Sequence, residues 1–431
     1  MATIRTIHVS KEGLEEAEAA LKRSVLQENP LAENRVREII AQVREQGDAA
    51  LLKLGKQFDS PYMERLEVPE EEFQAADRDI APELKDAMKR AAANITAFHE
   101  RQRRTSWLEA EPNRITGQIV RPLERVGLYV PGGTASYPST VLMTALPAKA
   151  AGAPNIFLCS PAQKNGKVNP AVLYAARMAG VKRVFAAGGA QAIAAMAYGT
   201  EAIPAVDKIV GPGNIYVNIA KKLLWGVVDI DMLAGPSEVC VVADEEANPC
   251  FAAMDMLTQA EHDTESAAYL ITPSAELASA VANEIERALI GLPRQAILRQ
   301  ALYEHGAIIV TDSMDQALEL ANVCAPEHLA LMIRDPFSAL GRIRNAGAVL
   351  MGDYTPQTLG DYLAGPSHTL PTSGTARFSS PLHLDTFLKK TSFIYYNRTS
   401  LEEESDRLTA FARAEGFETH AAAVEIRREV K

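Results

Sequence analysis

Asp361 and His368 stand close together in GDYLAGPSHTLPTSGTARFSS (360–380), a segment that also carries Arg377 and is rich in Gly, Pro, Ser and Thr, with no hydrophobic period. Such a stretch reads as an ordered loop, and long loops inside compact enzymes tend to carry function. Both side chains suit metal, base or substrate contacts, but neither completes a site alone. Gln259 and His262, in MLTQAEH, are spaced i and i+3, which puts them on one face if that segment is helical. A lone histidine on a helix is usually no ligand, yet Asp361 and His420, each among polar or small residues, extend the pair to a mixed nitrogen and oxygen set. Such a set with an open position suits zinc, with manganese or cobalt as substitutes.

Glu327 and His328, in CAPEHLALM, follow a proline at what reads as a helix start. A neutral histidine there serves as a general base and its neighbouring glutamate polarises water, while a capped helix with surface charges is the plainer alternative. Three glycine-bearing turns, VPGGTASYPST (130–140), AAGGAQAIAAMAYG (186–199) and VGPGNIYVNIAKK (210–222), each run from an apolar strand into a helix start. Free N–H groups at such a start meet phosphate well, but none of the three is a GxGxxG, and ordinary tight turns fit the spacing equally. Tyr129, just before the first turn, is either a platform for a flat ring or a buried aromatic. The charged run at 100–104 reads as a solvated helix end rather than a phosphate site.

These residues need a frame to bring them together. The chain has 431 residues, long enough for about three domains at roughly 150 residues each. Its 47% hydrophobic and 23% charged residues are ordinary globular usage. A formal net charge of -11 argues against nucleic acid or an anionic membrane as partner and favours small molecules. No apolar run reaches the roughly 18 residues of a membrane span, and MATIRTIHVSKEGLEEAEAA lacks a signal-peptide core, so a cytoplasmic protein is expected. Cys159, Cys240, Cys250 and Cys324 lack CxxC spacing, which indicates neither a disulfide scaffold nor a cysteine zinc site.

Residues 1 to about 105 read as helical, on the periodicity of Val36, Ile39, Ile40 and Val43 and again of Leu84, Met88, Ala91, Ala92 and Ile95. From about Arg125, short apolar strands alternate with Ala-rich helices, the pattern of parallel βα units. Strands are expected at 156–159, 183–187, 208–210 and 239–243, and again at 269–272, 307–311 and 348–351, with helices at 247–262, 275–290 and 314–322. The fold class is therefore α/β, two doubly wound Rossmann-like modules with a helical N-terminal segment and a small C-terminal tail domain beginning near Leu401. The later module is expected to recruit the N-terminal helices, because a parallel sheet needs cover on both faces.

The stretches GPGNIYVNIAKK, DMLAGPSEV, QAEHD, APEHLAL, GDYLAGPSHTLPTSGTARFSSPL and EGFETHAAAVEIR, in this order, resemble the histidinol dehydrogenase family over essentially the whole chain. The resemblance implies oxidation of L-histidinol to L-histidine through bound histidinal, with NAD and one zinc per site, in a homodimer. It implies zinc ligands Gln259, His262, Asp361 and His420, the last from the partner subunit's tail. It places substrate on Ser237, His328, His368 and Glu415 beside those ligands, the catalytic pair at Glu327 and His328, and NAD near Tyr129, Gln191 and Asn214. The domains it implies are an N-terminal arm at 1–28, one α/β module from 29–125 plus 239–380, a second at 126–238 on the NAD side, and a dimer-exchanged domain at 381–431. One departure is DTESAA after His262, where a glycine-bearing turn is expected. A covalent route through Cys240 is the mechanistic rival, though VCVVA reads as a buried strand. A dehydrogenase of another polar alcohol is the alternative function.

Overall fold

The computed structural model describes residues 3–23, 29–132 and 136–429; positions 24–28 of the expected arm and 133–135 of the first glycine turn lie outside them. In chain order the strands are β1 (Arg5–His8), β2 (Trp107–Glu111), β3 (Arg114–Pro122), β4 (Arg125–Tyr129), β5 (Asn155–Ser160), β6 (Arg183–Ala186), β7 (Lys208–Val210), β8 (Asp229–Ile230), β9 (Glu238–Ala243), β10 (Ala267–Thr272), β11 (Ala307–Val310), β12 (His328–Met332), β13 (Ala348–Met351) and β14 (Leu388–Tyr396). No helix among the described residues is long and apolar enough to cross a membrane.

The chain divides into two compact units, the first made of 1–102 and 123–387. It holds two parallel sheets, ordered β6-β5-β4-β7-β8 and β1-β11-β10-β9-β12-β13. With β1 set aside, both follow one plan: the earliest strand is central, the next two lie to one side and the last two to the other. This is the doubly wound order, in which the chain reverses direction across the sheet beside its first strand. The α/β expectation holds, and each expected strand lies within about a residue or two of an observed one.

In β9 the side chains alternate between two cores. Val239, Val241 and Ala243 join one, Cys240 and Val242 the other, so both faces of the strand are covered. That double burial turns the sequence into a continuous apolar run rather than an alternating one.

The structure assigns the N-terminal segments differently from the sequence reading. Val36, Ile39 and Val43 of the helix Pro30–Phe58, Phe73 of the helix Glu70–Asp79, and Met88 and Ile95 of the helix Pro82–Glu100 share one core with β4, β5, β6 and β7. These helices cover the five-stranded sheet, not the 239–380 module. Residues 5–8 are not helical but form β1, paired in parallel with β11 at the edge of the six-stranded sheet. The helix Leu14–Leu21 follows, with Ala17 and Leu21 in the core beside Cys240 and Tyr269. RTIH is too short and too polar to advertise an edge strand.

The second unit comprises 103–122 and 388–431. Its three-stranded antiparallel sheet, ordered β14-β3-β2, is followed by a helical hairpin of Arg398–Ala414 and Glu418–Glu429. The expected boundary at 381 therefore moves to 388, and 103–122 leaves the α/β module. Asn397 caps the first helix of the hairpin through Ser400 N–H, and Gly416, at φ 81, makes the turn between the two helices.

Candidate active site

Glu327 and His328 stand at the start of a strand, not of a helix. β12 opens at His328, pairs with β9 in the register His328 to Val239, and is buried along its length. HLALM is a short apolar run, which periodicity alone cannot divide between helix and strand. Parallel pairing then sets Glu327 beside Glu238, and each donates its backbone N–H to the other's carboxylate: Glu238 N–H to Glu327 Oε2 at 2.9 Å, and Glu327 N–H to Glu238 Oε1 at 3.2 Å.

Two helices bring further groups to this strand edge. The helix Pro249–Ala260 ends one turn after Asp255, so Gln259 lies in its last turn and His262 just beyond it, held by His262 N–H to Gln259 carbonyl at 3.1 Å. The helix Gln357–Tyr362 places Asp361. Gln259 Nε2 meets His328 Nδ1 at 3.4 Å and Asp361 Oδ1 lies 3.4 Å from His328 Nε2. An amide nitrogen only donates, so His328 Nδ1 is the accepting nitrogen and Nε2 carries the proton toward Asp361. This orientation turns Gln259 Oε1 away; that oxygen is buried without a hydrogen-bond donor. The turn after His262 needs no glycine, because Asp263 and Ser266 close it through Asp263 N–H to Ser266 Oγ and Ser266 N–H to Asp263 carbonyl.

Electrostatics follow from this crowding. Burial pushes the Glu327 carboxyl up to about 7, against the pull of His328. Burial opposes charge on His328 as well, but Glu327 and Asp361 outweigh it and raise its pKa. Asp361 is held below the usual carboxylate value, since its bond to His328 prevails over desolvation. Packing lowers the pKa of His262 despite the charge of Asp361. A cation would find here one anionic carboxylate, one neutral imidazole and one free amide oxygen, a donor set that suits zinc. Among the described residues, the group of His, Cys, Asp and Glu near enough to share an ion is a different one, Glu265, Glu304 and His305.

The 360–380 loop begins as the end of a helix and turns back across the site. His368 Nδ1 lies 2.9 Å from the Asp361 carbonyl, an acceptor, so Nδ1 carries the proton and Nε2 accepts from Thr140 Oγ1 at 3.2 Å. Burial lowers the His368 pKa and keeps the ring neutral. Ser237, half-buried, immediately precedes β9, and its carbonyl accepts Ala267 N–H at 3.0 Å. Gln259, His262, Glu327, His328, Asp361 and His368 are thus assembled in the first unit. Glu415 and His420 belong to the second, exposed at the hairpin turn and on the first turn of the last helix, where the His420 ring lies 5.0 Å from that of Phe417.

The sequence reading missed three residues here. Glu238 is one. Gln357, wholly buried, directs Nε2 to Asp361 Oδ2 at 3.4 Å. Asp255, pushed up to about 6 by burial, accepts the Gln357 backbone N–H and so ties the helix carrying Gln259 to the one carrying Asp361. Asp255 was detectable in principle, one helical turn before Gln259 on the same face.

The three residues expected on the NAD side, Tyr129, Gln191 and Asn214, lie at the opposite kind of edge, the carboxyl ends of β4, β6 and β7. Tyr129 ends β4, is buried, and its hydroxyl accepts Gly189 N–H at 3.0 Å. Gln191 is buried in the first turn of the following helix, Gly189–Tyr198. Asn214 caps the helix Ile215–Leu224 by accepting from Tyr216 and Val217 N–H. Gly211, at φ 117, runs so close to the Tyr129 carbonyl that a Cβ would lie 2.1 Å from it. Below the turn, buried Lys221 bonds Asp231 Oδ1 at 2.5 Å and Gly211 carbonyl at 2.7 Å, while Gly211 N–H donates to Asp231 Oδ2 at 2.7 Å. Tyr129 and Asn214 therefore shape turns at the carboxyl ends of these strands, on the edge where open α/β proteins bind ligands. Cys240 lies fully buried in mid-β9, removed from any such crevice.

Comparison with known proteins agrees with this architecture. The family model described as histidinol dehydrogenase matches residues 21–428. A histidinol dehydrogenase of Halalkalibacterium halodurans is 50% identical over 411 residues, 95% of this chain and 97% of that protein. One of Moorella thermoacetica is 53% identical over 398 residues, 92% of this chain and 94% of its own length. The crystal structure of histidinol dehydrogenase from Elizabethkingia anophelis superposes with a TM-score of 0.94 at 38% identity, covering 100% of this chain and 99% of that one. With a family match over nearly its whole length and a shared fold, the chain belongs to the histidinol dehydrogenase family and is an oxidoreductase of histidine biosynthesis.

Proposed function

We propose that this chain is a zinc- and NAD-dependent enzyme that oxidises L-histidinol to L-histidine by way of L-histidinal, working as a cytoplasmic homodimer. The observation that carries the metal assignment is the buried, donorless Gln259 Oε1 beside Asp361 and His328, an oxygen that a cation satisfies. Gln259, His262 and Asp361 hold the zinc together with His420 of a second subunit. Exposed Trp107, Leu108, Ile394, Phe411, Phe417 and Ile426 in the second unit support a chain built to be covered by another copy. Substrate lies against Ser237, His328 and Glu415 and against His368, whose Nε2 gives up Thr140 to accept from it. NAD lies at the turns formed by Tyr129, Gln191 and Asn214.

Zinc, when bound, supplies a cation that holds the amine and imidazole of the substrate, and NAD supplies the hydride acceptor. His328 gives up the Gln259 amide to take the hydroxyl proton at Nδ1, and the charges of the flanking Glu327 and Asp361 stabilise the imidazolium that forms. The aldehyde product has no hydroxyl, so a second oxidation requires its hydrate. Glu327 takes a proton from the water that adds, and its burial sets the balance between acid and base near neutrality. The His328 imidazolium returns its proton to the carbonyl oxygen as the hydrate forms and, neutral again, takes the hydrate's proton while hydride leaves to a second NAD.

Metal analysis with an NADH count on histidinol, before and after chelation, tests this reading. One zinc per chain, two NADH per histidinol, no free aldehyde, and loss on chelation restored by zinc are expected. One NADH per substrate with released aldehyde, or turnover indifferent to chelation, would overturn it.

A further inference from the structure

Resting on the reading of Glu327 as the base that activates water for the second oxidation, we propose that Glu238 is a positioning residue whose carboxylate fixes the Glu327 backbone, and through it the aim of the Glu327 side chain, together with the 372–374 turn as one unit. Glu238 is 1% exposed, at the first position of β9. Its Oε1 accepts two backbone N–H groups from separate segments, Ser373 at 2.7 Å and Glu327 at 3.2 Å, and Gly374 N–H bonds the same carboxylate. Its own N–H donates to Glu327 Oε2 at 2.9 Å. That last bond, made by the backbone whatever residue stands at 238, commits one oxygen of Glu327 to the scaffold, and Glu327 Oε1 carries none of these bonds and is the oxygen left to face a water.

The turn needs this support. Ser373 adopts φ 53, a left-handed conformation unusual for a residue with a side chain, and Gly374 follows at φ 76. Thr372 Oγ1 accepts Gly235 N–H at 2.5 Å, which ties the same turn to the segment entering β9. The 360–380 loop is therefore pinned to the strand edge bearing Glu327 at two places, Gly235 with Thr372 and Glu238 with Ser373. An alcohol oxidation that draws on Glu327 only for its charge beside His328 depends weakly on the aim of that carboxylate. Hydration and oxidation of the aldehyde depend on it strongly.

The test uses the zinc-loaded full chain with histidinol and histidinal supplied separately. Glu238→Ala is expected to leave histidinol oxidation within a few-fold of wild type, lower kcat for histidinal about a hundredfold at unchanged KM, and release aldehyde with NADH per histidinol falling from two toward one. Glu238→Gln, which keeps an oxygen for Ser373 and Glu327 N–H, is expected to recover most of the lost rate. Equal loss of both oxidations, or no loss of either, would overturn the proposal, as would failure of Gln to improve on Ala. Should the Ala variant not fold, Glu238→Asp takes its place, and its shortened reach is expected to slow histidinal oxidation alone; an unchanged rate would overturn the proposal. Failure of the underlying reading would show separately, in a Glu327→Gln enzyme that still oxidises histidinal at the wild-type rate.

Discussion

Glu327 illustrates how burial retunes a common residue. A carboxyl at its ordinary value is a weak base at neutral pH; removed from water at the edge of the six-stranded sheet it is poised near 7. The rate of histidinal oxidation is therefore expected to rise with pH through about 7, and in Glu327→Gln that limb should vanish with kcat lowered by about a hundred- to ten-thousandfold, measured as a pH profile of single-turnover NADH formation. The same shift bears on stability. Glu327 and Glu238 both stand raised to about 7 above an ordinary 4.5, so their protonated forms favour the folded state. That contribution is fully present below about 4.5 and is lost as pH rises through about 7. Replacing either residue by Gln should flatten the decline in this window, read from urea midpoints of the metal-free protein. The candidate residues were legible because Asp, His and Glu in polar segments carry their chemistry in the letters. Glu238 was not, because a glutamate opening an apolar strand gives no sign in sequence of which N–H groups it will meet.

At the scale of elements, the two sheets use opposite edges. The glycine turns follow the strands β4, β6 and β7 at their carboxyl ends, while Ser237, Glu238, Glu327 and His328 sit at the amino ends of β9 and β12. Each edge demands its own lock. For the turn after β7 the lock is the Lys221 and Asp231 pair, both 1% exposed. Lys221→Met leaves a buried carboxylate without its cation and should destabilise the protein by about 3 to 5 kcal/mol. Thermal unfolding would show that loss, and a raised KM for NAD with little change in KM for histidinol would locate it at this turn. A variant as stable as wild type would mean that the pair contributes nothing net. The strands themselves were readable as apolar runs bounded by turns. β12 was misread as a helix start because Pro before an apolar stretch suits either element, and only its place between β9 and β13 decides.

At the scale of the molecule, Gln259, His262 and Asp361, the proposed zinc donors, stand in the first unit, and His420 and Glu415 on the hairpin of the second. If His420 is donated in trans, His420→Ala and Glu327→Ala chains, each unable to form histidine, when mixed in equal amounts and allowed to exchange subunits should regain about a quarter of wild-type histidine formation, since half the dimers are mixed and each holds one intact site. No recovery, despite exchange shown by mass-tagged subunits, would place both residues in one chain's site. The sequence by itself determined the α/β class, most of the parallel strands and the chemical inventory, because local periodicity and side-chain type are properties of short segments. It could not determine that the helices within 30–100 cover the five-stranded sheet, that RTIH completes the six-stranded one, or that 103–122 joins the tail. Those pairings unite segments far apart in the chain, and apolar helix faces are interchangeable until packing selects a partner. Only the tertiary structure, by closing β9 on β12 in one register, decided that Glu238 would hold Glu327.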